Sequence, residues 1–433
     1  MIRTSQNPLQ PGETSAYKAR VQMLADRNRD NRNVPEDSSM GRVYVVGTAD
    51  TKGDELAYLA GRVRAAGAEP LIVDVGTRRP TITPDVSAAM VAGADAATLL
   101  KSNDRGAAVA GMARAFAEFM ASRTDVAGII GIGGGGGTSI ATAGMRRLPI
   151  GIPKIMVSTL ASGDTSAYVD VSDIVMMPAV TDFAGLNRIS RVLLAQAGAA
   201  IAAMSTAEPP AASDRPAIGL TMFGVTTIAA TQISERLGDD VEAVAFHATG
   251  TGGRTMESLI DSGLLSGAID ITTTEVCDLL FGGVLPALPT RFDCIARTRV
   301  PYVGSLGACD MINFWARNTV PARYSDRLFY QHNDNITLMR TTTEECDAIG
   351  TWIGHKLDAA DGPIRFLIPG GGVSALDSPG QPFWDPAADA ALFAAIERSA
   401  RWGGSRRLIK TPFHINDPAF ADAVIAAFME IWS

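Results

Sequence analysis

Chemistry in this chain is best sought where glycines, hydroxyls and charges stand together. The run Gly133-Gly134-Gly135-Gly136-Gly137-Thr138-Ser139 follows the apolar stretch Ala127 to Ile132. Five residues without side chains let backbone N–H groups approach an anion closely, and a helix expected to begin near Thr138 adds its positive dipole end. Glycine is costly in backbone entropy, so a plain turn has little use for five. The run is therefore read as a phosphate cradle. Two neighbouring loops share its position after a strand. Gly47-Thr48-Ala49-Asp50-Thr51-Lys52 offers hydroxyls from Thr48 and Thr51, an ammonium from Lys52, and in Asp50 a carboxylate able to hold Mg²⁺ through water. Asp50 or Thr51 can equally cap the following helix. Ser158-Thr159-Leu160-Ala161-Ser162-Gly163-Asp164-Thr165 supplies further hydroxyls and one carboxylate, or is an ordinary polar loop.

The glycine run narrows the ligand. Gly131-x-Gly133-x-x-Gly136 satisfies the dinucleotide spacing, but the following strand ends in Ser158 and Thr159 without the acidic residue that would bind ribose. NAD is disfavoured on that ground. A Walker P-loop is disfavoured too, because no lysine precedes Thr138-Ser139.

The second half carries a different set. Of four histidines, His247 and His414 fall where strands should end, in Phe246-His247-Ala248-Thr249-Gly250-Thr251-Gly252-Gly253-Arg254 and Phe413-His414-Ile415-Asn416-Asp417. Either imidazole suits a general base near neutral pH. Arg254 suits a carboxylate or phosphate, and Thr272-Thr273-Thr274-Glu275 and Asp310 add hydroxyls and carboxylates. A single histidine is more often structural than catalytic; two at strand ends beside glycines shift the balance towards a ligand site. His332 is placed in a polar loop and His355 on a helix surface. Gly370-Gly371-Gly372 makes another backbone-lined turn. Cys277 reads as a core thiol, and no metal site is assigned.

Apolar runs and helical stripes supply the elements that position these residues. Strands are expected at Val43 to Val46, Pro70 to Val75, Ala127 to Ile132, Lys154 to Val157 and Ile174 to Met177. After a break they resume at Ala217 to Phe223, Val241 to Phe246, Ala268 to Ile271, Tyr302 to Ser305, Ile364 to Ile368 and Arg407 to Lys410. Helices separate them, including a long one carrying Ile189, Val192, Leu193, Ala197, Ala200 and Ile201. Strands alternating with helices imply mainly parallel sheets covered on both faces. The expected fold is α/β, two Rossmann-like three-layer domains. A polar arm is assigned to residues 1–41, with a short helix at Tyr17 to Leu24. The first domain is 42–205, a proline-rich linker 206–216 and the second domain 217–433.

Composition bounds the class. The 433 residues are 46% apolar and 19% charged, with 43 glycines and a net charge of −8. No basic run is present to displace counterions from nucleic acid. The absence of a long uninterrupted apolar stretch and of a signal peptide predicts a soluble, cytoplasmic protein with no membrane partner. Cys277, Cys294, Cys309 and Cys346 lack CxxC spacing and are expected to be reduced.

GTADTKGDE, IGIGGGGGTS and STLASGDTS resemble the family of the plant tomato mosaic virus resistance protein and its uncharacterised bacterial relatives. The likeness continues through MFGVTT, HATGTGGR, DITTTEV, GACDMINF and HIND, from Arg42 to Phe428. The resemblance implies a two-domain homodimer with ATP in the first domain. The plant sequence has a serine where this chain has Gly135, and a TIM-barrel region that this chain lacks, so barrel chemistry would need a separate partner. The functional expectation is an ATP-binding enzyme component, using Mg²⁺ and acting on a small polar or anionic substrate. Its rival is a nucleotide-regulated binding module without turnover.

Overall fold

A computed structural model describes residues 41–102, 104–207 and 215–432. The arm 1–41, save its last residue, the helix at Tyr17 to Leu24 and most of the linker 206–216 lie outside them. The chain divides into two compact units, one holding the described residues up to 207 and the other those from 215 onwards.

In the first unit, β1 (Arg42–Gly47), β2 (Pro70–Asp74), β3 (Val126–Gly133), β4 (Lys154–Ser158) and β5 (Ile174–Pro178) form one sheet in the order β2-β1-β3-β4-β5. All its pairings are parallel. Alternation along β1 explains the layers. Val43 and Val45 point to one face, packing with Leu56, Leu59 and Val63 of α1 (Ala49–Ala65). Tyr44 and Val46 point to the other, packing with Met112 and Phe116 of α2 (Arg105–Ala121) and Ile140 of α3 (Gly135–Met145). Both faces are covered, as a parallel sheet requires.

Helix α4 (Arg188–Thr206) buries only part of the apolar set read from the sequence. Leu194, Ala197 and Ile201 are buried, while Ile189, Val192 and Ala200 are exposed. Apolar residues occur all round this helix, so its apolar set does not by itself mark the buried face. By length and composition alone α4 is apolar enough to cross a membrane; here its buried face packs with β1 and β3.

The second unit repeats the plan with six parallel strands: β6 (Ala217–Met222), β7 (Glu242–His247), β8 (Ala268–Thr272), β9 (Tyr302–Gly307), β13 (Ile364–Pro369) and β14 (Arg406–Thr411). Their order is β14-β13-β9-β8-β6-β7. On one face lie α5 (Thr227–Leu237) and α10 (Pro418–Ile431); on the other lie α6 (Thr251–Asp261), α8 (Thr343–Asp358) and α9 (Pro386–Ser399). The short helix α7 (Glu275–Phe281) follows β8. Between β9 and α8 stands an antiparallel sheet that the sequence reading did not predict, β10 (Met311–Phe314), β11 (Phe329–Asn333) and β12 (Ile336–Arg340), ordered β10-β12-β11. His332, expected in a loop, is therefore an exposed residue of edge strand β11. His355 is exposed on α8, as expected, and all four cysteines are buried free thiols.

Candidate functional site

In the first unit the chain runs from β1 outward to β2, then returns to β3 on the opposite side of β1. Loops leaving the carboxyl ends of β1 and β3 diverge at this reversal, where open α/β sheets bind ligands. Both the glycine run and the Gly47–Lys52 segment stand there.

The glycine run is less a loop than the sequence suggests. Gly133 ends β3, Gly134 is the N-cap, and α3 already begins at Gly135 rather than near Thr138. Not all five glycines serve one purpose. A Cβ on Gly133 would lie 2.8 Å from Gly137 Cα, so that residue is fixed by close packing. At Gly134, Gly135 and Gly136 a Cβ would meet nothing nearer than Thr159 Oγ1 at 3.5 Å, Leu160 Cδ1 at 3.7 Å and Val109 Cγ2 at 3.4 Å. Folding does not demand glycine at these three positions. No side chain caps this helix end, and the Gly134 carbonyl accepts first from Thr138 N–H. The N–H groups of the opening turn thus point along the axis, out of the helix.

Thr138 and Ser158, both named as ligand contacts, are fully buried, with Thr138 Oγ1 2.6 Å from Ser158 Oγ. Ser158 Oγ also accepts from Leu160 N–H. Together they hold α3 against the end of β4. Ser139 is half-buried within α3; Thr159 and Leu160 flank its first turn. Ser162, Gly163 and Asp164 stand exposed further along that loop, with Thr165 half-buried beside them, and Asp164 Oδ1 accepts from Ser166 N–H.

On the other side of the reversal, Thr48 caps α1 by position, with its Oγ1 2.8 Å from Thr51 Oγ1. Lys52 Nζ donates to Thr51 Oγ1 at 3.4 Å, and its backbone departs from helical geometry (φ −135°, ψ 30°). Asp50 Oδ2 accepts from Arg78 N–H at 3.1 Å and so ties down the loop after β2. The sequence reading missed Asp74. Its Oδ1 accepts from both Ala49 N–H and Gly76 N–H, which closes the start of α1 from the neighbouring strand. Burial nonetheless pushes the Asp74 carboxyl up from its usual range.

In the second unit the residues singled out scatter into structural roles. Glu275 is fully buried, its Oε1 accepting from Arg291 Nε at 2.7 Å and its Oε2 from Gly250 N–H at 2.6 Å. Arg291, absent from the sequence reading, also donates to Glu257 (2.9 Å) and Asp270 (2.7 Å). Both Glu275 oxygens are thus spent on the fold. Nor do the nearby glycines open a ligand space. Side chains on Gly250, Gly252 and Gly253 would strike Pro286 O, His247 O and Glu275 Oε1 respectively. Arg254 is half-buried, and its Nε donates to the Gly250 carbonyl.

His414 Nε2 donates to the Ser374 carbonyl at 2.8 Å, and its Nδ1 accepts from Asn416 N–H at 3.1 Å. A carbonyl can only accept, so the ring is fixed as the neutral Nε2–H tautomer with no free nitrogen. His247 differs. It ends β7, is exposed, and stacks on Phe223 with centroids 5.2 Å apart. Desolvation on that face holds its pKa below the usual imidazole value. Gly370, Gly371 and Gly372 are packing glycines pressed against Thr411, His414 and Asp377. The loop they open carries Ser374 and Asp377, which meet Asp310 in the interior: Ser374 Oγ donates to Asp310 Oδ2 at 2.8 Å. Two residues before Asp310 stands Ala308, whose left-handed backbone (φ 57°) is unusual for a non-glycine residue. Among the described residues, no three His, Cys, Asp or Glu side chains are grouped to hold a metal ion.

Comparison with known proteins follows these boundaries. Residues 41–210 match the N-terminal domain of the uncharacterised protein family UPF0261, and residues 215–432 match its C-terminal domain. A UPF0261 protein of Rhizobium meliloti is 64% identical over 395 residues, covering 90% of this chain and 99% of that protein. A Clostridium tetani member is 41% identical, covering 88% and 97% respectively. The ToMV resistance protein Tm-1(GCR237) of Solanum lycopersicum is 38% identical over 91% of this chain, which spans 56% of the tomato protein. The tomato ToMV susceptible protein tm-1(GCR26) has the same identity and coverage. The chain belongs to the UPF0261 family.

Proposed function

We propose that this member of the UPF0261 family binds ATP through its phosphates at the start of α3, between the loops that follow β1 and β3. The observation that carries this reading is the uncapped helix end at Gly134–Gly136, where glycine has no packing reason to be present. A phosphate group satisfies the outward N–H groups and meets the positive end of the helix dipole. Thr48, Thr51 and Lys52 follow β1, the strand beside β3, and on this reading supply hydroxyls and an ammonium to the same anion. The fit is to the phosphates and is indifferent to the base. Mg²⁺ would enter with the phosphate chain, whose oxygens supply ligands that the described residues do not gather by themselves.

On this reading the protein is an ATP-dependent or ATP-regulated enzyme component, with a small polar or anionic substrate, working as a cytoplasmic homodimer. A separate TIM-barrel protein would serve as partner for any chemistry that needs the barrel. The second reading is a nucleotide-regulated binding module without turnover. It gains from the second unit, where Glu275 and His414 are fully engaged in holding the fold. The tomato relatives do not decide between the two, because proteins named for resistance and for susceptibility match this chain equally.

Calorimetric titration with Mg·ATP tests the site. Gly135→Val adds a side chain with room to fold but none beside a bound phosphate. Binding by the wild type and its loss in the folded variant is the expected result; equal affinity in both removes the assignment. Steady ATP consumption that depends on a small molecule favours the enzyme. Binding without consumption favours the module.

A further inference from the structure

We propose that the exposed face of α4 is the contact between two copies of this chain, packed antiparallel about a two-fold axis that passes beside Gln196. The inference rests on the homodimer proposed above and names the surface that makes it. One side of α4 packs on the sheet through Leu194, Ala197 and Ile201. The opposite side carries Ile189, Val192, Gln196, Ala199 and Ala203, all exposed. Their alternating spacing of three and four residues runs along one face of a helix, as in a coiled-coil seam. Ile189 is 43% exposed, Val192 55%, and Met204 at the far end 39%. No charged residue occurs from Val192 to Ala207. Single exposed apolar side chains are ordinary on a protein surface; an uncharged strip about four turns long marks an interaction site.

The seam selects a second copy as its occupant, because it complements itself when reversed. Its bulky residues, Ile189 and Val192, lie towards the amino end, and its small ones, Ala199, Ala200 and Ala203, towards the carboxyl end. With Gln196 on the axis, Ile189 of one copy meets Ala203 of the other, and Val192 meets Ala200. Large side chains then stand over small ones along the whole length, and the axes keep the ~8–10 Å separation of close helix packing. A parallel pair would set Ile189 on Ile189 and Ala203 on Ala203, crowded at one end and open at the other. Gln196, the one polar side chain in the seam, falls opposite itself. Its amide offers both a donor and an acceptor, so the two copies hydrogen-bond each other across the axis and fix the register.

Charge favours the same arrangement. The first turn of α4 has no acidic residue and its last turn no basic one. Arg188 stands exposed at the amino end, where the dipole of its own helix disfavours a cation. In the antiparallel pair it lies beside the carboxyl end of the other copy's α4, the negative end of that dipole. The two-fold axis repeats this contact at both ends of the seam.

Sedimentation equilibrium of the full chain, with cross-linking of cysteine variants, tests the face. The wild type should be a dimer. Ala199→Glu, at an exposed helical position that tolerates glutamate, should keep the melting temperature and raise the dimer dissociation constant about 30-fold or more. Gln196→Cys should give a disulfide-linked dimer on mild oxidation with diamide, since the native thiols are buried. Ala203→Cys should not, because its counterpart lies about 20 Å away along the seam. A monomeric wild type overturns the homodimer and this use of the face together. A dimer that withstands Ala199→Glu unchanged, or that links through Ala203→Cys and not through Gln196→Cys, leaves the homodimer standing and overturns the face.

Discussion

Thr138 Oγ1 and Ser158 Oγ lie 2.6 Å apart in the interior of the first unit, and this bond sets where the glycine helix begins relative to β4. Both residues look like ligand contacts in the sequence because they follow strands within polar loops. Buried against each other, they act instead on the position of the Gly134–Gly136 N–H groups. Thr138→Val keeps the shape and removes the hydroxyl. The expected cost is about 1–3 kcal/mol in folding, since Ser158 is left short of a partner. ATP affinity, where present, should fall modestly through displacement of α3. Urea unfolding and calorimetry measure the two effects separately; a variant as stable as the wild type would mean that the pair is not a structural tie.

Gly133 and Gly135 are two residues apart and should fail differently when changed to alanine. The Gly133 Cβ would fall 2.8 Å from both Gly137 Cα and Gly137 C, so the strand–helix junction must move. The expected outcome is a clear drop in melting temperature. Gly135→Ala meets only Leu160 at 3.7 Å, and alanine is a better helix former by about 1 kcal/mol. It should leave the melting temperature unchanged or raised while weakening phosphate binding. A matched thermal loss in both variants would show that Gly135 is a packing glycine as well.

The contrast between these glycines also shows what was legible beforehand. The parallel strands were readable because both faces are buried, which leaves short continuous apolar runs such as Val43 to Val46 and Ala127 to Ile132. The antiparallel sheet was not. β11, Phe-Tyr-Gln-His-Asn, is largely exposed, and β10 is four residues hidden after the Cys309-Asp310 turn. The helix start at Gly135 defied local propensity, because tertiary packing can override the cost of glycine. Arg291 and Arg340 gave no signal as isolated arginines. Their partners are 16 to 34 residues away for Arg291 and 49 away for Arg340 and Asp389, and only the fold gathers them.

Arg291 is the cation on which the interior of the second unit depends most directly. Its guanidinium meets Glu257, Asp270 and Glu275, and Tyr302 Oη donates to the same Asp270 Oδ2. Arg291→Met leaves three buried carboxylates without a counter-charge. Breaking a buried ion pair from one side costs about 3–5 kcal/mol, and the variant should unfold in the second half first. Arg291→Lys should recover only part of this, because an ammonium cannot reproduce the fork to three partners. Tryptophan fluorescence during urea unfolding checks this, as four of the five tryptophans follow residue 315 and the other is Trp315 itself. Wild-type stability in Arg291→Met would mean that the carboxylates are protonated and need no cation.

His247 and His414 were paired by their positions at strand ends, and the structure separates them. His414→Ala removes a donor to Ser374 O and an acceptor for Asn416 N–H, so it should lower stability by about 1–3 kcal/mol. Its effect on activity should follow that loss, and His414→Gln, which can restore one of the two bonds, should recover part of both. His247→Ala gives up only a stack on Phe223, worth about 0.5–1.5 kcal/mol. If the enzyme reading holds, His247 is the imidazole with a free edge, lowered in pKa and therefore neutral at pH 7, as a general base must be. Its loss should reduce substrate-dependent turnover by about 10²–10⁴-fold while leaving ATP affinity within a few-fold of the wild type. Steady-state kinetics and calorimetry on the same preparation separate these effects. Full turnover in a folded His247→Ala variant would make this histidine a packing residue and leave the second unit without a base among its strand-end histidines.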